Sequence, residues 1–306
     1  MNLTRFYGIA LTCIVALLFT LWPRPLPAEG PLRVTVSILP QAYFVKKVAK
    51  DLVTVSVMVT GGSNPATYEP KPTQMTDLAR SRLYFTIDVP FEASWLDKFK
   101  VMNPNMRVVH TDRGIAKRHA SAHLHEPSAA SVHPAQKTTA GSSGTDPHIW
   151  LSPPLVKKIA QNTADALIQS DPDHQAAYEE NLWAFEMELD RLDQRIRDIL
   201  DEGSRKRSVI LVFHPSWGYF ADRYGLKQVS MECEGKSPSA MEMVQLTRYA
   251  KKTGIDRIFV QPQFSRKRAE AMAGQIGAQV VIVDPLSENW EANLIRVANQ
   301  FQKALE

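Results

Sequence analysis

Continuous apolar runs rich in β-branched residues recur along the chain and alternate with stretches of helical periodicity. Such runs are typical of strands covered on both faces, as in a parallel sheet. Their alternation with helices predicts an α/β fold of two lobes, each a mainly parallel sheet flanked by helices. The predicted strands are 33–39, 53–59, 83–87, 208–213, 258–260 and 279–283, and the predicted helices between them are 41–49, 73–80, 240–252 and 265–276.

One amphipathic segment is much longer than the others. Between Tyr178 and Ile199 apolar residues recur at spacings of four and three, while charged residues fill the other faces. Asp171-Pro172 favours a helix start, and Gly203 favours its end. We predict a rigid linking helix over 171–203, which joins an N-terminal lobe (29–170) to a C-terminal lobe (204–306). We predict that the protein is a monomer. A dimerising coiled coil is the alternative.

The N-terminus has the pattern of a secretory signal peptide. Arg5 precedes an apolar run over 9–22, which is short for a membrane-spanning helix, and Leu26-Pro27-Ala28 offers a small-residue cleavage site. We predict a cleaved signal peptide over 1–28 and a periplasmic protein, with an uncleaved anchor as the alternative. Cys13 lacks the small residue that precedes the cysteine of a lipoprotein site, so no lipid anchor is expected.

Charge and cysteine content argue against nucleic-acid binding and against a disulfide-stabilised fold. Cleavage removes two arginines and no acid, so the formal net charge of +4 becomes +2. A chain so nearly balanced has no nucleic-acid footprint. Cleavage also leaves Cys233 as the single cysteine, so no intramolecular disulfide can form in an oxidising compartment.

Residues 117–145 differ in composition from the rest of the chain. They are rich in Ser, Ala, Pro and Gly, which predicts a loop without a core of its own. Four of the eight histidines lie there: His119, His123, His125 and His133. The segment is either a solvated linker or a weak metal-collecting tract, and the composition favours neither reading.

Three potential metal ligands lie at the ends of predicted elements. His214 follows strand 208–213, Asp284 follows strand 279–283, and His148 lies between Pro147 and Pro153. The carboxyl ends of parallel strands face the ligand crevice, so these side chains could converge. Two imidazoles and a carboxylate suit Zn(II), and also Mn(II) or Fe(II). Singly, each residue is as readily a polar or turn residue, and no local metal motif such as H-E-x-x-H is present.

Four segments resemble the zinc/manganese-type (cluster A-I) periplasmic solute-binding proteins of metal ABC transporters. These are 146–151 (DPHIWL), 213–220 (FHPSWGYF), 234–239 (EGKSPS) and 261–265 (QPQFS), and they occur in the family's order. The histidine-bearing loop and the long helix are similar to those of members that handle zinc. The resemblance implies one metal ion between two α/β lobes, bound by His148, His214 and Asp284, and delivered to an ABC transporter permease.

One segment departs from the family pattern. Members carry a histidine ligand directly after proline in a segment ending Tyr-Glu-Pro, and residues 64–70 here read NPATYEP, with Ala66 in place of that histidine. Three of four ligands therefore remain, and such a zinc site ordinarily completes itself with another donor. The candidates for this fourth ligand are water, Glu69 or the loop residue His133.

The sequence leaves three other functions to weigh. An open three-ligand zinc site also describes a metal-dependent hydrolase, although Glu69 is the only nearby acid or base and no nucleophile elbow is present. A surface adhesin would share the fold but needs anchoring at the cell surface. The protein would be a degenerate paralogue with weak metal binding if the absence of a histidine ligand at position 66 prevented tight binding. We predict a transport protein, not an enzyme.

Overall fold

A computed structural model describes residues 30–119, 144–201, 205–232 and 237–306. The predicted signal peptide and His123, His125 and His133 lie outside these ranges, as does Cys233. The strands are β1 (Leu32–Ile38), β2 (Val53–Val59), β3 (Leu83–Thr86), β4 (Arg107–His110), β5 (Val209–Val212), β6 (Lys227–Ser230), β7 (Arg257–Val260) and β8 (Gln279–Ile282). The helices are α1 (Leu39–Ala49), α2 (Pro72–Leu78), α3 (Pro90–Met102), α4 (Pro153–Ser170), α5 (Gln175–Asp201), α6 (Gly218–Arg223), α7 (Ala240–Thr253), α8 (Arg266–Ile276) and α9 (Trp290–Leu305).

The strands form two four-stranded sheets with the same topology. The first has the order β2-β1-β3-β4 and the second β6-β5-β7-β8, and every described strand pair is parallel. The predicted fold class, two α/β lobes with parallel sheets and one long helix, is confirmed. In each sheet the strand order reverses beside the first strand of that lobe, which is where a parallel sheet opens a ligand crevice at its carboxyl edge.

The long helix α5 runs from Gln175 to Asp201, directly after a short 3₁₀ turn at Pro172–His174. Its apolar stripe is buried, including Tyr178, Phe185 and Ile196. It packs against α1 and α4 of the first lobe and against α9 of the second. A helix in contact with both lobes over its length limits how far they can rotate about it. No described helix is long and apolar enough to cross a membrane.

The hydrophobic core does not divide at the lobe boundary. One continuous cluster includes the first sheet, α5, α6, α9 and residues of the second sheet such as Val212 and Phe259. A smaller cluster, with Leu211 and Phe213, lies under α7 and α8. Adjacent residues of β5 thus belong to different clusters, as expected for a strand covered on both faces. The two lobes share one core, while α7 and α8 form an outer layer.

A buried carboxylate ties α5 to the second lobe. Asp193 accepts hydrogen bonds from Arg223 Nε at 2.9 Å and from the Tyr224 hydroxyl at 3.0 Å, and the Arg197 guanidinium lies beside it. Burial by itself would raise the pKa of Asp193, but the bonds from Arg223 and Tyr224 and the nearby guanidinium charges lower it below its ordinary value. The ionised form is therefore stabilised by folding.

This ion pair predicts a stability loss in acid. A carboxyl whose pKa is depressed in the folded state contributes stability above the unfolded pKa of about 3.9, and the contribution is lost as the pH falls through the lower folded pKa. We expect Asp193→Asn to lower the free energy of unfolding by about 1–3 kcal/mol at pH 7. The difference from the wild type should shrink below about pH 4. Urea unfolding of both proteins from pH 3 to 7 measures it, and a difference independent of pH would contradict the assignment.

Candidate metal centre

A small cleft, open to solvent, lies between the two lobes and contains two of the predicted ligands. Residues from both lobes line it: Asn64, Pro65, His148 and Trp150 from the first, and His214, Ser216, Gln261, Gln263, Phe264, Pro285 and Leu286 from the second. The rings of His148 and His214 lie edge to face, with centroids 5.5 Å apart and planes at 71°. Two imidazoles at this separation can share a metal ion after small side-chain movements.

His148 lies directly before a 3₁₀ turn at Ile149–Leu151, on a segment held by Asp146. Asp146 Oδ1 accepts hydrogen bonds from the His148 backbone N–H at 3.0 Å and from its Nδ1 at 2.7 Å. Because an ionised carboxylate only accepts, we assign the imidazole proton to Nδ1. The Nε2 lone pair is then available to a metal ion, and the ring orientation is fixed by a partner outside the coordination sphere.

His214 lies two residues after the end of β5, at the point where the strand order of the second sheet reverses. Gln261, at the end of β7, donates from Nε2 to the His214 carbonyl at 2.8 Å and to Ser216 Oγ at 2.7 Å. The His214 Nδ1 lies 3.0 Å from Glu232 Oε2, and Phe264 packs on the ring with centroids 5.3 Å apart. The arrangement repeats that of His148, with a buried carboxylate on Nδ1 and no hydrogen bond to Nε2 from any described residue.

Asp284, the third predicted ligand, does not line the cleft, although Pro285 and Leu286 directly after it do. Its Oδ1 accepts hydrogen bonds from Gln263 Nε2 at 3.0 Å and from the Leu286 backbone N–H at 2.9 Å. No hydrogen bond to its Oδ2 occurs within the described chain. In those same ranges, no three His, Cys, Asp or Glu side chains converge closely enough to form a preformed metal cage. The structure brings together the two imidazoles but not the carboxylate.

The position that lacks the family's histidine is at the mouth of the cleft. Asn64 and Pro65 line the cleft, whereas Ala66 and Glu69 are exposed. The Ala66 backbone N–H donates to Asn64 Oδ1 at 2.9 Å, which forms a tight turn. Of the loop histidines, His119 is described, and it pairs with Thr145 in an antiparallel bridge.

Sequence reasoning missed the groups that orient the imidazoles. Asp146 could have been recognised from its place two residues before His148, since an Asp side chain commonly binds the backbone two residues on. Glu232 lies 18 residues after His214. The sequence feature that could have identified Glu232 is weaker. It is an acidic residue just beyond the carboxyl end of β6, the strand that pairs with β5. Gln261 is likewise a polar residue directly after the carboxyl end of a strand, β7.

Trp150 connects the segments that carry His148 and Asp284. Its indole N–H donates to the Pro285 carbonyl at 2.8 Å, and the Trp290 indole N–H donates to the Trp150 carbonyl, also at 2.8 Å. Both bonds are buried and cross between the lobes. The relative position of the two segments is therefore determined by packing and by directional bonds.

Two α/β lobes with parallel sheets pack on one long helix, and two neighbouring imidazoles lie in the cleft between the lobes. These features define a solute-binding protein of the metal-ion class. The family model described as "Zinc-uptake complex component A periplasmic" (ZnuA) matches residues 34–304. The chain belongs to this family, which confirms the resemblance found in the sequence.

Individual relatives agree with the family assignment. The high-affinity zinc uptake system protein ZnuA of Bacillus subtilis is 28% identical over 83% of this chain and 78% of its own length. The zinc-binding lipoprotein AdcA of Streptococcus pneumoniae is 26% identical over 98% of this chain, which spans only 60% of that protein. A crystal structure of a ZnuA deletion mutant with zinc bound is 41% identical, covers 90% of this chain and 99% of its own, and superposes with a TM-score of 0.80.

Proposed function

We propose that this protein captures Zn(II) in the interlobe cleft, in the periplasm after removal of residues 1–28, and delivers it to the permease of an ABC transporter. The observation that carries the proposal is the neighbouring pair His148 and His214, each with a carboxylate on Nδ1 and, among the described residues, no hydrogen-bond partner on Nε2. Neutral imidazoles with this outer partner are the usual nitrogen ligands of zinc. Mn(II) and Fe(II) accept the same donors but favour additional oxygen ligands.

Asp284 is the third ligand in this proposal. Its Oδ1 is held by the Leu286 N–H and by Gln263, so metal binding would use Oδ2. The fourth position, vacated at Ala66, would be taken by water, by Glu69 or by His133. Zinc sites with three protein ligands keep such an open position. In a transport protein an open position also gives the permease a route to compete for the ion.

The core shared by the two lobes limits the movements that can release the metal ion. Because α5 packs on both lobes and one cluster crosses the boundary, a large domain rotation would expose buried apolar surface. Small tilts or local movement of the outer layer would instead separate Asp284 or His214 from the ion. This release path suits a monomer that docks on its permease, which is how we propose that the protein works.

Zinc titration of the mature chain tests the proposal. Residues 29–306 should bind one Zn(II) per chain tightly enough to compete with a chromophoric chelator. Deleting residues 120–143 should remove only weaker additional binding if water or Glu69 takes the fourth position, because His148 and His214 lie outside that range. It should also weaken the tight site if His133 takes that position. A wild-type chain that fails to compete with the chelator would refute the zinc-capture function.

A further inference from the structure

The two ends of the histidine-bearing segment meet beside the cleft. The Asp146 backbone N–H donates to the Arg118 carbonyl at 2.9 Å, and His119 pairs with Thr145 in the bridge described above. Arg118 and Asp146 belong to the first lobe, and their side chains point toward α6 of the second. The root of this segment is thus an ordered interlobe contact two residues from His148.

Tyr219, on α6, binds both sides of this root. Its hydroxyl accepts a hydrogen bond from the Arg118 backbone N–H and donates to the Asp146 carbonyl, both at 2.9 Å. The Tyr219 side chain is buried, with 7% of the residue exposed. A single hydroxyl from the second lobe therefore satisfies a donor and an acceptor of the first, and both would be left unpaired without it.

Gly218 allows this close approach. A Cβ atom at position 218 would overlap the Arg118 guanidinium and lie 2.9 Å from Asp146 Oδ2. The guanidinium also forms an ion pair with Asp222 Oδ2 at 3.2 Å and lies over the Tyr219 ring. Only a residue without a side chain permits the Arg118 group to rest on the start of α6.

The contacts converge on the carboxylate that orients His148. Asp146 Oδ2 lies 3.9 Å from Arg118 Nε, its main-chain carbonyl binds Tyr219, and its Oδ1 holds His148 Nδ1. We infer that Arg118, Gly218 and Tyr219 form an interlobe latch that positions Asp146, and through it aims the His148 imidazole into the cleft. The inference deepens the proposed function and rests on it for its effect on zinc.

The latch links the arrangement of the lobes to the aim of one ligand. Its bonds to Tyr219 and its ion pair to Asp222 exist only when α6 lies against the root of the segment. When the lobes tilt apart, Asp146 loses its bond from Tyr219 and Arg118 loses Asp222 and Tyr219, so that Asp146 no longer holds His148 in a fixed orientation. The latch therefore slows zinc release while it is closed and speeds it when the lobes separate. Its three residues are positioning residues, since none touches the ion.

Tyr219→Phe is the primary test, because it removes the hydroxyl and keeps the ring. We expect zinc affinity to fall about 10-fold, the lower end of the range for lost outer-sphere partners, because Asp146 remains and loses only its positioning. Transfer of zinc to a chelator should become faster. In the metal-free protein, the His148 Nδ1–H resonance, assigned by ¹⁵N-histidine labelling, should lose its protection from solvent exchange.

Matched variants separate positioning from general destabilisation. Tyr249→Phe makes the same change at a tyrosine whose hydroxyl has no hydrogen-bond partner among the residues described. Gly218→Ala should reproduce the Tyr219→Phe defects, whereas Gly274→Ala, in α8 with nothing within 4 Å of the added Cβ, should not. Both control variants should bind zinc as the wild type does.

Two outcomes would overturn the latch. In the first, Tyr219→Phe and Gly218→Ala lower the melting temperature but leave zinc affinity, zinc transfer and the His148 resonance unchanged. In the second, the Tyr249→Phe and Gly274→Ala controls show the same defects. The resonance is read without metal, so a failure of the latch is distinguishable from a failure of zinc binding by the wild type.

Discussion

Replacing either His148 or His214 by alanine should lower the affinity for zinc by more than about 100-fold, beyond the range expected for loss of an outer-sphere partner. In the proposed site each imidazole would supply one nitrogen, and Ala66 stands where the family resemblance implies a further histidine, so the loss of either imidazole should not be compensated. The double variant should lose tight binding entirely. Competition titration with a chromophoric chelator measures all three proteins.

A graded control strengthens this prediction. Glu232→Gln keeps both imidazoles but removes the carboxylate 3.0 Å from His214 Nδ1. It should lower the affinity for zinc about 10–100-fold. His174→Ala removes a histidine of the 3₁₀ turn before α5, where the ring binds Asp171, and should leave zinc affinity unchanged. The assignment of the ligands is wrong if His148→Ala is no weaker than His174→Ala.

Trp290→Ala should be the most destabilising single change, lowering the free energy of unfolding by about 3–5 kcal/mol. The residue is 1% exposed and its ring packs edge-on to Phe44 with centroids 5.0 Å apart. Its indole N–H also satisfies the buried Trp150 carbonyl, which the variant leaves without that donor. Loss of this side chain opens a cavity where α9 meets α1 of the first lobe.

The same experiment tests whether the lobes share one core. Because the cluster that contains Trp290 crosses the lobe boundary, the wild type should unfold in one cooperative transition, and the variant should shift that whole transition. Trp183→Ala, at a tryptophan of α5 that is 65% exposed, should change stability by no more than about 0.5 kcal/mol. Two separate transitions in urea unfolding would contradict a shared core.

The fold could be predicted where the sequence carries a strong period. The central strands β1, β3, β5 and β7 are rich in apolar and β-branched residues because both of their faces are covered, and the long apolar stripe of α5 is equally regular. Strands β4 and β6 were missed. Both lie at sheet edges and are four residues long, with charged or polar residues at their ends, so neither has a continuous apolar run.

The site could be predicted only in part, for a physical reason. His148, His214 and Asp284 follow from element ends and from the family pattern, but distances between ligands depend on lobe packing. The bond from Glu232 to His214 joins two neighbouring strand ends, and the Trp150 bonds join residues more than 130 positions apart. The turn that binds Asp284 Oδ1 to Leu286 is local, yet its effect on the metal site appears only in three dimensions.

Zinc K-edge X-ray absorption of the one-to-one complex of residues 29–306 tests the central claim most directly. We predict imidazole scattering at about 2.0–2.1 Å from at least His148 and His214, with oxygen ligands beside it, and loss of the scattering from these two residues in the His148→Ala/His214→Ala variant. A spectrum without imidazole scattering, or one that the double variant leaves unchanged, would show that the ion binds elsewhere in the protein.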